Sequence, residues 1–429
     1  MRIVHLTPGT GSFHCGSCLR DNALIKALRV RKHDAIMVPL YLPLVTDNLA
    51  ANPEIDIQVG GVSLYLAQKM PWTRHLPRFI HRWLNSPDRL RNASKKMGMT
   101  AAATLGEMTL GSLQGKDSTQ WSEWQRLIDW LKTQPKPDVI SLSNSLLCGL
   151  VPALAEEFPG TKIVVSLQGE DSFLDTLPEP FKEQCWDALR VIARKVTLFV
   201  SPSQFYADLI NQRLGLDGSQ MRVVPNGMDL HSFPTADPDP NFPTIGYFAR
   251  MIHGKGLTTL IDAYIALVKR GSVPRLKLLI GGAATLVDEK YIAEQKAKLK
   301  AAGCEARVEW RPNLDFKDKV HFFRDLTVFS VPATYGEAFG LYVIEAIASG
   351  VPVVEPRHGA FPELIEATGG GILCEPDNVE SLANALESLL LDGERCDQLI
   401  KTGIANVRAR FSATKMAEDF ESILRETLT

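Results

Sequence analysis

Short aliphatic and β-branched runs recur along this chain, each bounded by turn residues or followed by an amphipathic stretch. In the first half they read RIVHL, DAIMVPL, DVISLS, KIVVSL and TLFVSPS, and in the second TIGYFA, LKLLIGG, RVEWRP, VFSVPA and VPVVEP. Strands that alternate with helical patterns pair in parallel, because each crossover needs a connection about as long as a helix. A chain of 429 residues exceeds what one core usually organises. The expected fold is therefore α/β, with two Rossmann-like, doubly wound domains in succession. The first spans 1–215, a linker region 216–243, and the second domain 244–410, leaving a helix at 411–429. Within the linker, PTADPDPNFPT is rich in proline and aspartate, which continue neither a helix nor a central strand.

Charge and cysteine usage narrow the function classes. The formal net charge is −2, so the molecule as a whole has no attraction for nucleic acid. The N-terminus lacks the charged start and apolar run of a secretory signal, and no stretch reaches the length of an apolar membrane span. The cysteines at 15, 18, 148, 185, 304, 374 and 396 are odd in number and mostly scattered, as in a reduced, cytoplasmic chain. Residues 60–133 break the βα rhythm. They include a basic stretch at 74–96, interleaved with Leu76, Phe79, Ile80, Trp83 and Leu84. It reads either as the solvated face of an ordinary helical excursion or as a weak peripheral contact for a membrane or an anionic acceptor.

Three segments carry chemistry. In TYGEAFGLYVIEAIASG, Glu337 and Glu345 stand eight apart, and Gly340 precedes a helix that ends at Gly350. A helix start of this kind binds phosphate, since unpaired N–H donors and the positive end of the dipole converge there. Glu345 is surrounded by apolar neighbours and reads as a ligand-binding carboxylate or as half of a structural ion pair. In GYFARMIHGKGL, Arg250 and Lys255 follow a strand, where they would neutralise a diphosphate or simply be solvated. It is not a Walker A loop, because Gly256 stands where Ser or Thr would hold magnesium.

The third segment, PGTGSFHCGSCLRDNALIKAL, joins a glycine loop to Cys15-x-x-Cys18, which suits a redox couple or, with His14, half a zinc site. It does not spell G-x-G-x-x-G, and no acidic residue closes the second strand to grip a ribose, which disfavours a dinucleotide dehydrogenase. Asp237 and Asp239 form a D-x-D pair, but prolines flank and split it in a connector, so no metal site is expected.

These blocks together resemble family 4 of the retaining GT-B glycosyltransferases. The likeness rests on Glu337-x7-Glu345 with its E-x-F-G-L opening, on Arg250 and Lys255 as a GR…KG pair, on Asn226, Gly227 and Asp229 as an N-G-v-D turn, and on the first loop. It covers nearly the whole chain except residues 60–133. It implies a GT-B fold, two Rossmann-like domains facing each other across a cleft, with the C-terminal helix crossing back to the first. It also implies transfer of a hexose from a nucleotide-diphosphate sugar, UDP-sugar first and GDP-sugar next, to an acceptor hydroxyl, with no metal or other cofactor.

By that resemblance Arg250 and Lys255 hold the diphosphate, with Gly340, Leu341 and the neighbouring Phe339 completing the phosphate site from the helix start. Glu337 positions the hydroxyls of the sugar, Glu345 binds the ribose diol, and Asn313 and Leu314 read the base. Gly16 approaches the donor from the first domain, while Ser17, Asn144 and Gln168 line the acceptor side. Two departures stand out. Gln168 occupies a place where the family often has histidine, and Lys32 replaces a glycine before His33. Other readings are a GT-B sugar phosphorylase or synthase, a non-catalytic nucleotide-sugar-binding module, and a CxxC redox protein.

Overall fold

The strand-like runs pair in parallel into two six-stranded sheets. The first contains β1 (Arg2–Thr7), β2 (Asp34–Pro39), β3 (Val139–Leu142), β4 (Lys162–Ser166), β5 (Leu198–Ser201) and β6 (Met221–Val223), in the order β2-β1-β3-β4-β5-β6. The second contains β7 (Thr244–Phe248), β8 (Lys277–Gly282), β9 (Val308–Pro312), β10 (Val328–Phe329), β11 (Val353–Pro356) and β12 (Gly371–Cys374), in the order β12-β11-β10-β7-β8-β9. This computed structural model describes residues 1–9, 16–41, 102–118 and 120–428. It divides into two compact units, residues 1–227 with 416–429 and residues 228–415.

The interior strands read as continuous apolar runs because helices cover both faces of a parallel sheet. Ile3, Val139, Val164 and Val200 meet Leu24, Ile25 and Leu28 of the helix Gly16–Val30 on one side of the first sheet. Met416, Phe420 and Leu424, from the last helix, Ala413–Leu428, belong to the same core. In the second unit Phe322, Phe323 and Phe329 pack edge-to-face or tilted within one core.

Strand order places the functional edges. In the first sheet the order reverses between β1 and β3, and in the second between β7 and β10. Connections leave in opposite directions at such a point, opening a crevice outside the carboxyl ends of the strands.

Some sequence expectations change in detail. Residues 216–243, read as a linker region, include β6, whose Arg222 and Val223 are exposed and therefore lack the apolar run of an interior strand. Strand β12 is also an addition, starting within the glycines of GGGILC. Of the irregular segment 60–133, the described part is helical, and helix Trp121–Thr133 buries Trp124, Leu127, Ile128 and Leu131. The basic stretch 74–96 lies outside the described residues, as do His14 and Cys15. Lys32 holds a left-handed backbone, φ 65°, at the position where the resembling family has glycine.

The last helix is held by charge as well as packing. Glu421 accepts from Arg31 Nε at 2.6 Å and from Arg425 Nη2 at 2.6 Å, and lies 3.3 Å from His33 Nε2. These partners, Arg31 first, pull its carboxyl down to about 2. A depressed carboxyl contributes stability above its unfolded pKa and loses it as pH falls toward the folded value. Glu421→Gln is expected to lower stability by about 1–3 kcal/mol at neutral pH. The deficit should shrink as pH falls from 4.5 toward 2, which denaturant unfolding at several pH values would measure.

Candidate functional site

The reversal between β7 and β10 brings together two loops that the sequence holds about eighty residues apart. After β7 the chain runs through Arg250 to a short 3-10 turn, His253–Lys255, and enters helix Leu257–Arg270 at Gly256. After β10 it runs through Tyr335 and Glu337 to Gly340, where helix Leu341–Ala348 begins. Thr334 N–H donates to the Gly254 carbonyl at 3.0 Å, stitching the loops together. Gly256 has φ 72°, and a Cβ there would lie 1.7 Å from the Pro332 carbonyl oxygen. Only glycine permits this approach, so the residue that rules out a magnesium-binding loop is the one that lets the two loops meet.

At the junction Lys255 forms an ion pair with Glu337, their side chains 15% and 14% exposed. Tyr342 Oη donates to Glu337 Oε2 at 2.9 Å, and the Lys255 ammonium lies 5.0 Å and 5.5 Å from the ring centres of Tyr335 and Tyr342. Burial works against the lysine charge, but Glu337 and then Tyr335 outweigh it and hold the ammonium's pKa above the ordinary range. This corner therefore keeps a cation charged at any physiological pH. Arg250, by contrast, is half exposed and lies 3.5 Å from Asp288 Oδ1. Asp288 is fixed in turn by Thr285, whose N–H and hydroxyl donate to Oδ2 at 2.9 and 2.6 Å.

Gly340 adopts φ 97° where the loop turns into the helix, a conformation that strains any L-residue. The helix start at Leu341 follows directly, on the loop that carries Glu337. The buried ring of Phe339 packs 6.0 Å from that of Phe411 and belongs to the core. Glu345 lies one helical turn farther on, buried and ion-paired with Lys319 of helix Phe316–Arg324. Of its two sequence readings, the structural ion pair is the one this geometry contains. Asn313, at φ 57°, clamps the loops after β8 and β9: its side chain accepts from Ala284 N–H at 3.0 Å and donates to the Ala284 carbonyl at 2.9 Å. Leu314 packs against the core beside it.

In the first unit the edge residues are organised by Glu170. This buried carboxylate accepts from the N–H groups of Ser145 and Gln168, both at 2.8 Å, and from Tyr206 Oη at 3.1 Å. It thereby ties the loop after β3, which carries Asn144, to the loop after β4, which carries Gln168. Burial pushes the Glu170 carboxyl up, and these hydrogen bonds pull it back. Asn144 Oδ1 accepts from Leu146 N–H at 3.1 Å. Gln168 Nε2 is buried without a hydrogen-bond partner among the described residues. Gly16 opens helix Gly16–Val30 and is exposed, Ser17 is half-buried, and Cys18 is buried 3.6 Å from the Thr7 hydroxyl.

Beneath this edge lies a charged network that sequence reading missed. Asp21 meets Arg20 Nη1 at 2.9 Å, His5 Nε2 at 3.2 Å and Ser143 Oγ at 2.5 Å. Arg20 also donates to Ser166 Oγ and to Asn226 Oδ1, both at 3.2 Å, which anchors the turn after β6. Burial alone would raise the Asp21 pKa, but His5, then Arg20 and Ser143, bring it below its ordinary value. The signal was available in principle, as adjacent Arg20 and Asp21 on a helix of otherwise mixed polarity. Lys319 and Asp288 carry no comparable motif.

Two family models match adjoining stretches: Glycosyltransferase Family 4 over residues 108–232 and Glycosyl transferases group 1 over residues 232–405. Mannosylfructose-phosphate synthase of Agrobacterium fabrum is 25% identical over 57% of this chain and 56% of its own length. The lipopolysaccharide core biosynthesis mannosyltransferase LpsB of Rhizobium meliloti is 29% identical over 47% of this chain and 62% of its own. The matches thus span under two thirds of these two relatives. A GDP-mannose-dependent mannosyltransferase of Corynebacterium glutamicum, acting on a phosphatidylinositol monomannoside, is 25% identical over 64% and 73%. Among solved structures, sucrose-phosphate synthase from Thermosynechococcus elongatus superposes with TM-score 0.73 at 18% identity over 99% of both chains. Anabaena HepE in complex with UDP gives 0.70 at 18% identity, over 99% of this chain and all of its own. The two parallel sheets are thus the fold of the GT-B enzymes. No helix among the described residues is long and apolar enough to cross a membrane.

Removing one partner of a buried ion pair leaves the other charge without compensation. Lys319→Ala is therefore expected to destabilise the protein by about 3–5 kcal/mol. Urea unfolding would measure this, and Lys319→Ala combined with Glu345→Gln should recover part of the loss.

Proposed function

The chain belongs to family 4 of the GT-B glycosyltransferases, and from that premise we propose a retaining, metal-independent transfer of a hexose from a nucleotide-diphosphate sugar to an acceptor hydroxyl. The observation that carries this reading is the Lys255–Glu337 pair. It is held at the strand reversal, on loops that also present Arg250 and the helix start after Gly340. Two cations and a helix N-terminus suit a diphosphate. UDP is the favoured nucleotide, supported by Anabaena HepE, whose solved structures contain UDP and UDP-glucose, and GDP follows, supported by the named dependence of the Corynebacterium relative.

The chemistry follows from where charge develops. Breaking the bond between the anomeric carbon and the phosphate oxygen leaves the electron pair, and the negative charge, on the leaving diphosphate. Lys255 and Arg250 stabilise that charge, and preorganised groups do so without reorganising during reaction. The acceptor oxygen bonds to the anomeric carbon from the face that the phosphate leaves, and its proton passes to a phosphate oxygen, so configuration is retained. Glu337, steadied by Tyr342, holds sugar hydroxyls rather than attacking the carbon. Glu345 receives the ribose by exchanging Lys319 for the diol. Gly16 approaches the donor from the first unit, and Ser17, Asn144 and Gln168 form the acceptor side, with Gln168 Nε2 as an available donor.

Incubation with UDP-, GDP- and ADP-sugars, with nucleotide release as the readout, tests the reading. Release from at least one donor, undiminished by EDTA, is expected, and no binding or release from any donor would overturn it. Lys255→Ala should lower kcat/KM by about 10²–10³-fold, the scale for losing one preorganised charge-stabilising group. Glu345→Ala should chiefly raise the donor KM.

A further inference from the structure

Strand β11 carries, one residue before its end, a glutamate that the reaction just described does not use. Glu355 is fully buried at the carboxyl end of the strand beside β10. Its Oε1 accepts from Val331 N–H at 3.2 Å, while Oε2 has no hydrogen-bond partner among the described residues. The titratable groups around it come from several elements. They are Glu337 on the loop after β10, Lys255 on the turn after β7, Tyr342 on the following helix and Cys374 on the neighbouring β12. Lys255 is already committed to Glu337, so no cation remains among these four to balance a second carboxylate.

We propose that Glu355 is a positioning residue of this site: its carboxyl keeps a proton, and by staying neutral it leaves Lys255 and Glu337 as a balanced pair that an anionic diphosphate can join. Loss of that proton would add an uncompensated negative charge to this buried group, and the diphosphate would be repelled. The charge count makes the argument. With Glu355 neutral the buried group of Lys255, Glu337 and Glu355 sums to zero, and with Glu355 ionised it sums to one negative charge. Burial, the largest influence, pushes this carboxyl well above its ordinary range; the Val331 N–H, next in size, pulls it back, Glu337 adds to the rise and Lys255 opposes it least. The same surroundings push the Cys374 thiol up to about 12, with Glu355 contributing after burial. This inference rests on the diphosphate reading of the site only for its ligand, not for the proton.

Two measurements separate those parts. Glu355→Gln fixes the neutral form with the same shape. A group whose folded pKa is raised gives stability that is full below its unfolded pKa and lost as pH rises toward the folded value. Relative to the variant, the wild type should therefore lose stability as pH rises from 4.5. The loss should continue until pH passes the raised folded value, which burial and the neighbouring Glu337 set. Infrared difference spectra at neutral pH should show a protonated carboxylic acid in wild type that the variant lacks, a readout that does not need the variant's stability. Parallel stability profiles, or no such band, would overturn the proposal. In calorimetric titrations with UDP, wild-type affinity should fall with pH relative to Glu355→Gln, approaching about tenfold per pH unit above the Glu355 pKa. The ratio between proteins cancels the titration of UDP itself. Equal pH dependence would refute the coupling, whereas absence of UDP binding at every pH to both proteins would instead refute the diphosphate reading.

Discussion

A lysine and a glutamate taken out of water together need each other, and the candidate site is built around that constraint. The Lys255–Glu337 pair is too buried for either charge to stand alone. Its members come from loops after β7 and β10, which are far apart in sequence and meet only because strand order reverses between those strands. Gly256 lets the first loop press against the Pro332 carbonyl, and Gly340 turns the second into its helix. Tyr342 then donates to Glu337 from the first turn of that helix. Each of these devices would be a local oddity if read singly. Together they hold one cation, charged and ready, at the edge where such sheets bind ligands.

Both units solve the same problem of buried polarity in different ways. The second uses discrete pairs, Lys255 with Glu337 and Lys319 with Glu345. The first uses a shared network in which Asp21 gathers Arg20, His5 and Ser143, while Glu170 fastens the loops after β3 and β4. Discrete pairs can exchange a partner for a ligand, whereas a network whose central group is wholly buried resists exchange.

Much of the fold was legible because interior parallel strands must be apolar on both faces, and of the ten strands read from the sequence all but the edge strand β9, VEWRP, announced themselves in that way. Strands β6 and β12 did not, one being half exposed and the other beginning within glycines. Glu337, Lys255 and Gly340 were legible because their chemistry depends on local spacing around a helix start. Lys319 was not, because its meaning arises only when its helix packs beside Glu345, a long-range event without local pattern. Phe339 shows the converse: it sits inside a motif, yet its ring serves the core against Phe411. Glu355 hid in plain view, as an acid in a strand of otherwise apolar residues whose burial only the folded sheet reveals.

The measurement that bears most directly on this account is a crystal structure of the protein with UDP. The account predicts the diphosphate against Lys255 and Arg250, at the helix start after Gly340, with the ribose at Glu345 and Lys319 displaced from it. A nucleotide bound elsewhere, with the Lys255–Glu337 and Lys319–Glu345 pairs untouched, would contradict it.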